Sequence, residues 1–293
     1  MREKLAEMQA AETKRLAVLR AQRDYRLDEL ASILAAALCE SMRREGLTLL
    51  QALERIGQED LPNEGDAHPF LALLAARLAA RGVATAPEQL LREEERGDEG
   101  ARIAYLQNRY TEHAYGIFAP ALKKPTVSYC ESFAASCAAV SDGLADLCIL
   151  PLRGEDGAYL HAFLSLIEGY GLSVRAVCAV ESEPGEDAVT EYALCGRGLF
   201  VPSQAPFTRL ELLLPSMCEQ STAQFLTFIA ALGGGVLVAE LLPSRHAAGR
   251  SLRLGATVPH GALFLLLLYA RLFAADALLY GVCAAEKADT AEE

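Results

Sequence analysis

From Arg2 to about Arg44 the apolar positions Leu5, Met8, Leu16, Leu19, Leu27, Leu30, Leu34, Leu38 and Met42 recur at helical spacing, with no Gly or Pro among them. That pattern predicts one long amphipathic helix. At ~1.5 Å per residue it spans roughly 60 Å, more than its own short neighbours can cover, so a homodimer built along this stripe is expected. Gly46 ends the helix; LTLLQALERI predicts a second one stopped at Gly57, and HPFLALLAARLAAR a third, with Pro69 in its first turn and Gly82 at its end. Residues 1–82 therefore read as all-α. Residues 83–100, which include LREEERGDEG, read as an acidic, structureless linker.

Beyond the linker the period changes. Short apolar runs, RIAYL, PTVSY, DLCILPL and LSVRAVCAV, alternate with helical stretches near 112–118, 131–140 and 159–170. Over 101–200 this predicts a parallel sheet covered by helices, with ligands bound beyond the carboxyl ends of the strands, in the loops after Leu106 and Leu152. From 207 to 285 the order is strand TRLELLL, helix EQSTAQFLTFIAAL, strand GVLVAELL, strand SLRLGATV, helix HGALFLLLLYARLF and strand ALLYGVCA. This is βαββαβ, the ferredoxin-like α+β arrangement. Gly233 to Gly235 are placed to cap its first helix, and Pro259 to close its third strand. The fold class is thus multidomain: helical segment, α/β lobe, ferredoxin-like domain.

Composition narrows the function. The chain has 293 residues, 27 Lys and Arg against 39 Asp and Glu, and a net charge of −12 that repels polyphosphate, so nucleic acid is not expected as a partner. The longest apolar run, Ala262 to Ala270, is too short for a bilayer span, and no membrane association is expected. MREKLAEMQAAETKRL carries charges where a secretion signal would be apolar, which makes cytoplasm the expected location. The 8 Cys never form CxxC and sit mostly in apolar runs, as buried thiols do, and the 5 His are scattered, so no metal and no cofactor are expected. A small polar molecule is the partner that fits best.

The order of the three segments, with RIAYLQNRYTEHAYGIF, FAASCAAVSDGLADLCILPL and LIEGYGLSV in the middle, resembles the bifunctional P-protein family: chorismate mutase, prephenate dehydratase and an ACT regulatory domain. The strand ending Ala145-Asp146-Leu147-Cys148-Ile149-Leu150-Pro151 is the most specific part, and Thr190-Glu191-Tyr192 stands where the family has Thr-Arg-Phe. The resemblance implies a place in phenylalanine biosynthesis, with Thr190 as a dehydratase residue and a small carboxylate or an amino acid as ligand. AAETKRLAVLRAQR is similar to the first mutase helix. Continuing the apolar stripe puts Glu12 and Arg23 on its inward face, making Arg23 the cation for a dicarboxylate substrate; the resemblance adds Arg44 and Glu45 as the family's Arg-Glu pair. Alternatively, Glu12 and Arg23 form ion pairs across a dimer seam.

The departures point elsewhere. Too few positions separate Val177 from Thr190 to hold the dehydratase's second lobe, and Glu191 replaces a bidentate donor with a carboxylate. The substrate loops become LQNRYTE and Leu152-Arg153-Gly154-Glu155-Asp156-Gly157. The mutase lysine has no counterpart between Lys14 and Lys123, and the phenylalanine-binding stretches become Gln220-Ser221-Thr222-Ala223 and Leu242-Pro243-Ser244-Arg245. Three readings follow: a catalytically reduced regulatory or ligand-binding homologue, an active chorismate mutase or dehydratase, and a structural dimerisation protein.

Overall fold

The computed structural model describes residues 2–57, 61–91, 100–181, 189–202, 205–214, 219–243, 250–274 and 277–285. These form two compact units, Met1–Leu90 with Phe264–Ala275, and Leu91–Leu263 with Asp276–Glu293.

The first unit is helical. Helix α1 (Arg2–Glu45) is followed by α2 (Leu49–Leu53), shorter than its sequence pattern suggests, and α3 (Ala67–Ala80). Gly46, at φ +67°, turns the chain out of α1, and Thr48 caps α2 by a reciprocal pair of bonds with Gln51 at 3.2 and 2.9 Å. The later half of the stripe, Leu27, Ala31, Leu34, Ala35 and Leu38, is buried where α1 lies on α2 and α3, with Phe70, Leu71, Leu74 and Leu78 of α3 equally buried. The earlier half is bare: every residue from 8 to 26 is exposed, including Met8, Leu16 and Leu19. Helix α8 (Leu263–Leu272), which the sequence pattern gives to the C-terminal segment, groups with this unit from Phe264 on, where Phe273 meets Phe70 edge-on at 6.5 Å. The segment read as structureless is ordered at its start. A 3-10 turn at Pro87–Leu90 buries Leu90, because an apolar pair at 90 and 91 escapes water there, while 92–99 lie outside the described residues.

The second unit is built on one nine-stranded sheet, ordered β2-β1-β3-β5-β4-β9-β6-β8-β7. Strands β1 (Arg102–Leu106), β2 (Thr126–Cys130) and β3 (Leu147–Arg153) are parallel. Strand β5 (Val189–Arg197) enters antiparallel between β3 and β4 (Leu172–Glu181), so the lobe's sheet is mixed and not parallel as expected. The cause is chain length. Glu181 pairs with Val189, and so short a connection permits a hairpin but no crossover. β3 is buried along its whole length: Cys148, Leu150 and Leu152 join a core with α5 (Phe133–Ser141) and α6 (His161–Gly169), and Leu147 and Ile149 one with α4 (Arg109–Phe118).

The C-terminal strands β6 (Phe207–Leu214), β7 (Gly235–Pro243), β8 (Arg250–Pro259) and β9 (Leu278–Ala285) continue the same sheet. Their order, β9-β6-β8-β7, is the one a βαββαβ unit takes, with α7 (Glu219–Ala231) packed on β7 and β8. Gly233, at φ +76°, ends α7. β9 meets β4 in parallel at Val174 and Gly281, where a side chain on Gly281 would stand 2.7 Å from the Val174 Cβ. Among the described residues no helix is long and apolar enough to cross a membrane.

Candidate functional site

Strand alternation builds the site. On β6, Leu210, Leu212 and Leu214 alternate with Arg209 and Glu211 and are buried on one side of the strand, which sends Arg209 and Glu211 to the opposite face of the sheet. Both are nevertheless buried. Glu211 is 2% exposed because its neighbours across the sheet, Gly255 on β8 and Gly281 on β9, leave room over the strands. That room is filled by the turn after β3. Gly157, at φ +74°, lets the chain reverse, Gly154 N donates to Ala158 O at 2.9 Å, and Tyr159 returns to bridge Arg153. The Arg153 guanidinium carbon then lies 4.8 Å from the Tyr159 ring centroid, and a Cβ on Gly255 would collide with Arg153 Nη2.

Here five polar side chains close on one another. Arg209 donates through Nη1 and Nη2 to the two oxygens of Glu191 at 3.0 and 2.8 Å, and through Nε to Glu211 Oε1 at 2.8 Å. Arg153 Nη2 donates to Glu211 Oε1 and to the Tyr159 hydroxyl, each at 3.3 Å, while Tyr159 donates to Glu211 Oε2. Arg153 Nε stands 3.5 Å from Glu191 Oε2 without a hydrogen bond. Two arginines thus face two carboxylates, and charge balances. Burial pushes the Glu191 carboxyl up, but the hydrogen bonds and charge of Arg209, with the charge of Arg153, outweigh it and hold the group below its ordinary range. Burial works against the Arg209 charge too, and Glu211 and Glu191 reverse that, leaving it more firmly protonated than a free arginine. Tyr159, buried beside the Glu211 charge, is held as a phenol.

A second chain of contacts borders the first. Glu168 of α6 accepts from Arg253 Nη2 at 2.7 Å and from the Tyr280 hydroxyl at 2.6 Å, and Glu240 accepts from the Tyr159 backbone N–H at 2.8 Å. His161 stands between Arg253, 3.4 Å from Nδ1, and Glu240, 3.7 Å from Nε2.

The residues singled out from sequence fall apart in space. Arg23 is exposed on α1 and pairs with Asp66 ahead of α3, Nε to Oδ1 at 2.7 Å; within one chain it does not meet Glu12, which is also exposed. The stripe runs under Leu27 and beyond, but from 8 to 26 it has no inward side within one chain. Arg44 donates to Glu40 at 3.3 Å, and Glu45 accepts from Arg55, all on the surface. Thr190 pairs with Val180 across the β4–β5 hairpin and, as the neighbour of Glu191 on a strand, faces the other side of the sheet. The loop after Leu106 serves α4: Asn108 Oδ1 accepts from the backbone of Tyr110 and Thr111 at 3.0 and 2.9 Å. Ser244 and Arg245 lie outside the described residues, as does Cys218.

Arg209, Glu211, Tyr159 and Arg253 were not legible as a group. TRLELLL marks a strand and nothing more, and only the pairing of Glu211 with Gly255 and Gly281 shows that the space above Arg209 and Glu211 can be filled. Among the described residues no group of three or more His, Cys, Asp or Glu could hold a metal ion. Cys137, Cys148, Cys178, Cys195 and Cys283 are buried, and burial pushes the Cys178 and Cys283 thiols up to about 12.

No family model matches this chain, and no curated protein matches it by sequence. Among solved structures, it is similar to the prephenate dehydratase of Arthrobacter aurescens in complex with L-Phe, at 14% identity and a TM-score of 0.50, over 66% of this chain and 92% of that one. It is also similar to prephenate dehydratase from Streptococcus mutans (14%, TM-score 0.48, 64% and 100%) and to GqqA, described as a novel type of quorum quenching acylase (20%, TM-score 0.49, 63% and 95%). The likeness to the A. aurescens protein is one of fold: helices on a large mixed sheet, as in a prephenate dehydratase.

Proposed function

We propose that this chain is a prephenate dehydratase-like protein of aromatic amino acid metabolism that has given up dehydratase chemistry and acts as a regulatory or small-ligand-binding homologue. The observation that carries the reading is Glu191. Where the resembled family has an arginine, this chain has a carboxylate, and it consumes the two nearest cations, Arg209 and Arg153. A dicarboxylate arriving there meets a neutral cluster in place of a free guanidinium pair. The short hairpin between β4 and β5 supports the same reading, since a second lobe to close over a substrate has no place in it. Purified protein incubated with prephenate is expected to form no phenylpyruvate. Sustained turnover above the spontaneous rate would overturn the reading.

The L-Phe held by the A. aurescens protein makes that amino acid the first ligand to test. Calorimetric titration with L-Phe, with D-Phe as control, is expected to show stereoselective binding. A cytoplasmic homodimer joined along the bare half of α1 belongs to the same proposal: Met8, Leu16 and Leu19 continue the stripe that Leu27, Leu34 and Leu38 bury within the chain. Sedimentation of the full chain at micromolar concentration is expected to give twice the chain mass, and Leu16→Glu with Leu19→Glu to shift it toward one. Chorismate mutase activity in this segment would need Arg23 to leave Asp66 and turn toward such a seam, so an assay with chorismate separates that reading from a purely structural dimer.

A further inference from the structure

We propose that Arg209 and Arg153 form a binding site for a small monocarboxylate and that Glu191 holds it closed as a built-in occupant. The inference needs only the geometry and stands whether or not the chain belongs to phenylalanine metabolism. Three observations converge. First, the charges divide unequally by depth. Glu211, 2% exposed, is fixed from below by Arg209 Nε, Arg153 Nη2 and Tyr159, which leaves one of the two guanidinium charges for a carboxylate above. Second, Glu191 meets that surplus as a free carboxylate would, by the two-pronged contact with Arg209 at 3.0 and 2.8 Å, and Arg153 Nε, 3.5 Å away, has no hydrogen bond. Third, the side chains of the two arginines are 10% and 7% exposed, whereas that of Glu191 is 26% exposed. The carboxylate can leave toward water; the guanidiniums cannot.

Formate or acetate carries the atoms that touch the arginines and nothing more, so it fits wherever the Glu191 side chain is withdrawn. In the wild type the competing carboxylate is held in place by its own side chain on a paired strand, so its effective concentration exceeds that of added acetate and the site stays closed. The test is thermal unfolding of the full chain in sodium acetate against sodium chloride at equal ionic strength and pH 7, for wild type, Glu191→Ala and the double variant Glu191→Ala with Arg209→Met. Glu191→Ala is expected to melt below wild type in chloride and to gain about 3–5 °C at acetate tenfold above its dissociation constant. Wild type and the double variant are expected to show no difference between the salts. Should Glu191→Ala fail to fold, Glu191→Gln keeps the shape without the charge and is expected to show the same selective gain at smaller size. Equal melting in both salts for the folded single variant, or an acetate gain that survives in the double variant, would overturn the proposal.

Discussion

On the helical unit, Arg23 meets Asp66 with side chains 45% and 27% exposed; in the sheet, Arg209 meets Glu211 with side chains 10% and 2% exposed. The ions are the same, and the surroundings make them different objects. Water already solvates Arg23, and holding it to Asp66 costs side-chain freedom, so the pair contributes about 0–1 kcal/mol. Arg209 and Glu211 have lost their water, and each depends on the other to offset that loss. A buried pair therefore adds little when intact compared with what its rupture removes. It fixes an arrangement, here the turn after β3 over β6 and β8, more than it adds stability.

The largest expected break is Arg209→Met. It strips Glu191 and Glu211 of their common donor and leaves buried carboxylates sharing Arg153, for a loss of about 3–5 kcal/mol in chemical denaturation. A loss below 1 kcal/mol would place the cluster with the surface pairs. Gly255→Ala attacks the same arrangement from the strand beneath. Its Cβ would meet Arg153 Nη2 and the Tyr159 hydroxyl, and the guanidinium, held by Glu211, must shift at a cost of about 1–3 kcal/mol.

Acid sharpens the comparison without touching side-chain volume. The Glu191 carboxyl is held below its unfolded range, around 4.3 for a glutamate, so its contribution is fully present above that value and is lost as pH falls through the lower folded one. A stability profile from pH 6 downward should fall more steeply for wild type than for Glu191→Gln, which has no such proton to take up. The smallest effect is expected at Arg23→Met, within about 1 kcal/mol of wild type at dilute monomer and weaker still in high salt. A larger loss that grows with protein concentration would mean that Arg23 works in a contact between copies.

What could be read in the sequence follows the same division. α1 was legible because Leu27, Leu34 and Leu38 repeat with a helical period and nothing interrupts them. So was the succession of strands and helices from 207 to 285, where periods and turn residues alternate clearly. The antiparallel place of β5 was not legible, although VTEYALCGR alternates well enough for a strand, because it depends on the short return from Glu181. The cluster was half visible: Arg153 and Glu191 lay in segments already marked, whereas nothing in TRLELLL sets Arg209 and Glu211 apart from the rest of a strand. Burial of a charged face is a property of two segments at once, and a single strand's alternation carries only one of them.

The close approach of Val174 to Gly281 also has a bearing on how the molecule is made. β4 and β9 are roughly a hundred residues apart in the chain, so during synthesis the lobe's strand waits with an open edge until the last described strand arrives. Contacts so distant in sequence form late and slowly, and an uncovered strand edge invites another chain in the interval. Chains sharing a ribosome queue would be exposed to that exchange, and a bulkier residue than glycine at 281 would prolong it by obstructing the join.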